Sequence, residues 1–158
     1  MNFKPGELKL VPVAEVTPGA LLEIPEMRDV FPLFLRIANI GDKPGLIALG
    51  GVHSLEVLGW DNQESVARVI CAPENLRIEL KDPQDGYGEI GAAGALVVHA
   101  GGAYIQTRRT PRQAHGTRIS TSTWAPAESS NEGDVCCFTD WQFGHLDPTG
   151  RFVAIYPL

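Results

Sequence analysis

The sequence predicts an all-β fold, either an antiparallel β-sandwich or a partly open β-barrel with at most one or two short helical turns. Three observations lead there. Short apolar runs recur along the 158 residues with turn chemistry between them. Within these runs side chains alternate with period two, and helical stripes are almost missing. The 17 glycines and 12 prolines supply turns and leave no room for the crossover helices that parallel strands require.

The unit that organises the chain is Pro32 to Gly51, PLFLRIANIGDKPGLIALGG. Leu33, Leu35 and Ile37 share one parity, and Phe34, Arg36, Ala38 and Ile40 share the other, which gives a first arm with a mixed outer side. Gly41-Asp42-Lys43-Pro44-Gly45 reads as the turn of a β-hairpin. The second arm carries Ile47, Leu49, His53, Leu55 and Val57 on one parity, with Gly50-Gly51 as a bulge and an extended run from Val52 to Trp60. A hairpin alone is marginal in water, so its apolar face requires further strands.

Upstream, Leu8 to Val16 contains Pro12, which removes a ladder donor. Residues 1–16 therefore read as an edge strand or an extended arm. Thr17-Pro18-Gly19 makes a turn into the short strand Ala20 to Ile24. In PEMRDVF, Pro25 suits a first helical position and Met27, Val30 and Phe31 are spaced as one buried helical face, which Pro32 ends.

Downstream, residues 62–71 carry two readings. Asp61 and Glu64 resemble a capping box ahead of a stripe of Val66, Val69 and Ile70, whereas Ala67, Val69 and Cys71 alternate and the β-branched content favours a strand. Pro73 closes the segment. Leu76 to Lys81 alternates most cleanly, with Arg77, Glu79 and Lys81 on a wet face. Ala95 to Ala100 is apolar on both parities, as a central strand is, and Gly101-Gly102 separates it from the strand Ala103 to Arg109. Ile119 to Trp124 is a Thr-rich strand, and residues 125–134 form a polar, mobile loop. Val135 to Trp141, the loop Gln142 to Arg151 and the strand Phe152 to Tyr156 read as a terminal hairpin. Residues 1–158 fit one domain, with no internal repeat.

Composition narrows the function classes. The first residues hold no run of signal-peptide length, and no stretch approaches the roughly 20 apolar residues of a membrane helix. Three cysteines, two of them adjacent, do not make a disulfide framework, which points to a reducing, cytoplasmic setting. A net charge of −6 argues against a general nucleic-acid binder.

Four arginines, Arg108, Arg109, Arg112 and Arg118, are the main charge anomaly. Guanidinium groups read anions bidentately, so they outline an anion site, against the plainer reading that they pair with the acidic remainder. His145 lies near Asp140 and Asp147 among aromatics, a sketch of an acid-base pair or a sugar platform; the plainer reading is a loop whose aromatics cap the core. His99 sits on the central strand, facing either a cavity or the core. Tyr104, Trp124 and Trp141 are read as exposed aromatics.

Cys71, Cys136, Cys137, His53, His99, His115 and His145 are zinc-type side chains without zinc-type spacing, so no metal is expected. Asp82, Asp85 and Glu89 surround a glycine turn that lacks the alternation of a calcium loop. GAAGA and GGAY match no phosphate-binding fingerprint, and no cofactor is expected.

These features favour a non-catalytic β-rich binding or assembly module that recognises a small anionic or sugar-like ligand through the arginine-rich loop and self-associates. The alternative is a small barrel-type hydrolase or isomerase using a His/Asp pair.

Overall fold

Fourteen strands build three antiparallel sheets in the computed structural model, which describes residues 10–62, 64–81, 93–99, 102–109, 116–127 and 136–157. Helical structure among these residues is limited to three single 3-10 turns, Val13–Glu15, Pro25–Met27 and Pro73–Asn75.

The first sheet uses β1 (Leu10–Pro12), β2 (Leu21–Glu23), β3 (Leu33–Ile40), β4 (Lys43–Leu49), β5 (Val57–Gly59) and β6 (Val66–Cys71) in the order β1-β6-β2-β3-β4-β5. The organising hairpin is its centre. β3 and β4 pair from Leu33 opposite Leu49 to Ile40 opposite Lys43, so the connection is tighter than the sequence suggests and Pro44 and Gly45 belong to β4. Pro12 ends β1 at the sheet margin, as a strand proline should. Residues 66–71 form a strand, which resolves the ambiguous segment.

The second sheet uses β8 (Leu96–His99), β9 (Gly102–Gln106), β10 (Arg118–Ser120), β11 (Pro126–Ala127) and β12 (Cys136–Phe138), in the order β11-β10-β9-β8-β12. The third joins β7 (Arg77–Leu80), β13 (Trp141–Leu146) and β14 (Phe152–Tyr156), with β13 in the middle.

One core is shared by all three sheets, as in a β-sandwich. Leu21, Leu35, Ile37, Ile47 and Leu49 of the first sheet pack with Leu96, Ile105 and Ile119 of the second and Trp141 and Phe143 of the third. Each fully buried aliphatic or aromatic side chain contributes about 1.5–3 kcal/mol relative to exposure, so this layer outweighs any surface ion pair. No sheet closes into a barrel among the described residues.

The structure shows what covers the outer face of β3 and corrects five local expectations. The mixed outer side of β3 runs from buried Phe34 and Arg36 to exposed Ile40, and Phe34 packs beside Leu22, Leu46 and Ala48 under a cover of Val13, Val16 and Ile24 with Met27 and Phe31 at its margin. Val30, expected in that cover, is exposed. The extended run after Gly50-Gly51 is broken by a turn over residues 51–55 with left-handed backbone at Gly50, Gly51 and Leu55, so His53 lies in the turn and β5 begins only at Val57. The Thr-rich strand stops at Ser120, where residues 121–123 turn and Trp124 takes a left-handed conformation. The terminal hairpin is β13 and β14, so Gln142 to Leu146 are strand rather than loop, and Cys136–Phe138 instead pairs with β8. Within residues 125–134, Pro126 and Ala127 form an edge strand on β10; residues 128–134 fall outside the described residues.

Candidate functional site

Of the described arginines of the basic stretch, Arg108 and Arg118 have different partners. Arg108 reaches back to the turn over residues 51–55: its backbone N–H donates to Leu55 O at 2.9 Å, and its guanidinium donates to Val52 O at 3.0 Å and lies 3.6 Å from Glu56. Arg118 is on β10, where its Nε donates to Gln106 Oε1 at 3.1 Å. Gln106 is buried and donates in turn to Gly116 O, so Arg118 belongs to a network that seals the end of β9. Arg109 is exposed, and Arg112 falls outside the described residues.

The acid-base sketch separates in part, with Asp147 near His145 and Asp140 away from it. His145 is on β13, and its Nδ1 is 3.2 Å from the carbonyl of Leu146. Asp140 sits at the other end of that strand, 3.7 Å from Lys81, about 16 Å away at the usual strand rise. Asp147 is a turn former: its Oδ1 accepts from the Thr149 hydroxyl and from the backbone N–H groups of Thr149 and Arg151. These bonds, the Thr149 hydroxyl first, hold its carboxyl below the usual value. His99 shares the parity of Val97, away from the shared core, and stacks on Tyr104 at 4.6 Å with the rings nearly parallel.

Of the three aromatics expected to be exposed, Trp141 is interior and Trp124 is half-buried. Trp141 is 5% exposed, meets Phe143 edge to face at 4.9 Å and donates from Nε1 to Gly94 O at 2.7 Å. Trp124 packs against the shared core and over Gly19. Tyr104 is half-buried.

A concave site among the described residues lies elsewhere, on the outer face of the first sheet. A groove of about 360 Å³ is lined by Glu26, Met27, Phe31, Leu58, Gly59, Trp60, Asp61, Asn62 and Ser65. Two sequence-distant segments build it. Pro25 starts a 3-10 turn, and N–H bonds from Val30 and Phe31 to Met27 O swing Phe31 back over the sheet. Opposite, the backbone N–H of Trp60 bonds to Pro44 O at 2.8 Å and fixes the end of β5. Asn62 Oδ1 then accepts from the Glu64 N–H at 3.1 Å, an Asx turn where the sequence suggested a helix cap. That turn delivers the buried Ser65, whose hydroxyl donates to Glu26 at 3.0 Å and ties the two walls together.

The groove has aromatic walls and an acidic rim. Phe31 and Trp60 stand edge to face at 6.4 Å and 84°, and both lean on Phe34, at 5.2 and 5.6 Å. Trp60 Nε1 is shielded and meets no acceptor among the described residues. Asp61 is ion-paired with Lys43, whose ammonium is held above its usual value chiefly by that hydrogen bond. Glu26 has only the Ser65 hydroxyl as partner among the described residues. Amphipathic walls of this kind hold rings by their apolar faces and hydroxyls by their edges.

Sequence reasoning placed Met27 and Phe31 on a buried face and did not connect them with Trp60. The only signal was the aromatic pair itself, since nothing in the spacing announces that residues 26–31 and 58–65 meet. Among the described residues, no group of three His, Cys, Asp or Glu side chains is placed to hold a metal ion, and no helix is long and apolar enough to cross a membrane. His115, Asp82, Asp85 and Glu89 fall outside the described residues. In comparisons with known proteins, the chain matches no family model, no curated protein and no solved structure.

Proposed function

We infer that this protein is a non-catalytic β-rich binding module whose ligand is sugar-like and occupies the groove between the Pro25–Met27 turn and β5. The carrying observation is the perpendicular Phe31 and Trp60 pair bordered by Glu26, Asp61, Asn62 and Ser65, in a volume within the range of small-molecule sites. A sugar-like ligand is favoured over an anionic one because the rim bears carboxylates, while Arg108 and Arg118 are engaged elsewhere. The hydrolase or isomerase alternative draws less support, because Asp140 is remote from His145 and Asp147, though near His145, has its Oδ1 engaged by the turn.

The reading includes a reducing, cytoplasmic setting, in keeping with three free cysteines. It also includes self-association, for which the exposed Leu10, Val66, Val69 and Ile70 at the β1–β6 margin offer apolar surface. Sedimentation at several concentrations tests that part.

The binding test is a titration of the labelled protein with neutral mono- and disaccharides, followed by the NMR signals of Trp60 and Phe31. Saturable shifts at those residues, removed by Trp60→Ala, are expected. Shifts confined to the Arg108–Arg118 region would move the site to the basic stretch.

A further inference from the structure

We propose that the groove selects a sugar carrying a protonated amino group over its neutral or acidic counterparts. This rests on the reading of the groove as the sugar site and adds the charge of the ligand.

The argument begins with which charges are already matched. Around the groove, the cations are committed: Lys43 is bound to Asp61, and Arg28 and Arg68 are both bound to Glu23. Asp61 is therefore neutralised by its partner. Glu26 is not, because its one bond among the described residues is from the neutral Ser65 hydroxyl. That bond fixes one carboxylate oxygen and leaves the group acceptor capacity for a donor in the groove.

Beside this carboxylate stand the Phe31 and Trp60 rings at a right angle. An aromatic face carries negative electrostatic potential and attracts an ammonium group within about 6 Å, most strongly for tryptophan. Carboxylate and ring faces thus favour the same charge. A carboxylate or phosphate on the ligand would face Glu26 as a like charge and find no uncommitted cation among the described groove residues. Apolar contact alone is indifferent to charge, so selection falls to Glu26 and to the negative potential of the ring faces.

Calorimetric titration at low salt with D-glucosamine, D-glucose, D-glucuronate and choline tests the proposal. The expected result is glucosamine binding about tenfold tighter than glucose, since a cation–π contact and one charge-assisted hydrogen bond suffice for that factor. Glucuronate should bind more weakly than glucose, and the glucosamine preference should shrink with added salt.

Glu26→Gln keeps an acceptor for Ser65 and should lower the glucosamine-to-glucose ratio several-fold, leaving only the part that the ring faces contribute. Glu74→Gln, which removes the same charge away from the groove, should leave the ratio as it is. Equal binding of glucose and glucosamine by the native protein would overturn the amine preference while leaving the sugar site standing. Choline binding without any sugar would uphold the amine preference and remove the sugar. Failure of all four compounds to bind would overturn both.

Discussion

The indole of Trp124 lies directly over Gly19, so close that a Cβ added there would fall 2.7 Å from Trp124 Cδ1 and 2.8 Å from Cε2. The contact joins the turn after β10 to the turn before β2. It is held on both sides by backbone bonds, from Gly19 N–H to Arg36 O at 2.8 Å and from Ala38 N–H to Trp124 O at 2.7 Å. Gly19 also has φ +93°, a conformation that side chains resist. Gly19→Ala should therefore lose roughly 2–4 kcal/mol through steric overlap and backbone strain together. Gly150 is the control: it has φ +82° with open space around it, so Gly150→Ala should lose only about 1 kcal/mol. Urea unfolding of both variants checks the prediction, and equal losses would mean that the Trp124 contact contributes nothing.

Arg36 is 3% exposed and has no carboxylate partner among the described residues. Its guanidinium donates to Ile37 O, to Gly45 O and to Asn39 Oδ1, while Nε meets no acceptor among the described residues. Burial alone holds its pKa below the usual value. A buried charge met only by neutral acceptors is weakly compensated, and apolar replacement of similar volume is often neutral or stabilising. Arg36→Met should change stability by less than about 1 kcal/mol, whereas Arg36→Ala, which leaves a cavity, should lose about 2 kcal/mol or more. Chemical denaturation of the two variants distinguishes volume from charge as the reason for an arginine there.

Much of this architecture was legible in the sequence because β-structure writes its faces at period two. Leu33, Leu35 and Ile37 do face the shared core, and Arg77 and Glu79 do face water. What stayed hidden depended on sequence-distant cover. Nothing near Phe34 reveals that Val13 and Ile24 lie over it, so the cover of the outer face of β3 was not legible. Leu55 looked like a strand residue because its apolar side chain matched the parity, yet its backbone is left-handed and its side chain reaches the core from a turn. The groove stayed hidden for the same reason, since Phe31 and Trp60 meet only because β3 and β4 fold between them. Trp141 was misplaced because a tryptophan beside polar residues resembles a platform, while its indole N–H had a carbonyl waiting at Gly94.

Asp147 makes the β13–β14 turn sensitive to acid. Its carboxyl is held below the usual value, first by the Thr149 hydroxyl and next by the Arg151 N–H, with nearby His145 adding in the same direction. A folded value below the unfolded one gives stability that is complete above the ordinary aspartate value of about 3.9 and is lost as pH falls through the lowered native value. Asp147→Asn keeps an acceptor but does not titrate. The native protein should exceed this variant in stability at neutral pH, and the gap should narrow as pH falls below about 4. Thermal unfolding of both proteins across that window checks the sign, and a gap that widens in acid would exclude the turn as its source.

The three cysteines should differ sharply in reactivity, because the thiolate is the reacting form and burial disfavours it. Cys71 is buried, and its pKa is raised first by that burial and then by Glu74, with Arg77 opposing. Cys137 is buried and also raised, with burial the largest cause and Arg118 pulling the other way. Cys136, next to it on β12, is exposed, as alternation along a strand requires. A disulfide reagent at pH 8 should modify one thiol quickly in the folded protein and the other two only on unfolding. Cys136→Ser should abolish the fast phase and leave the slow one unchanged. A fast phase that survives this substitution would place an accessible thiolate at Cys137 or Cys71, and the packing of Ala95, Val97 and Cys137 on the outer face of the second sheet would then have to be open to solvent.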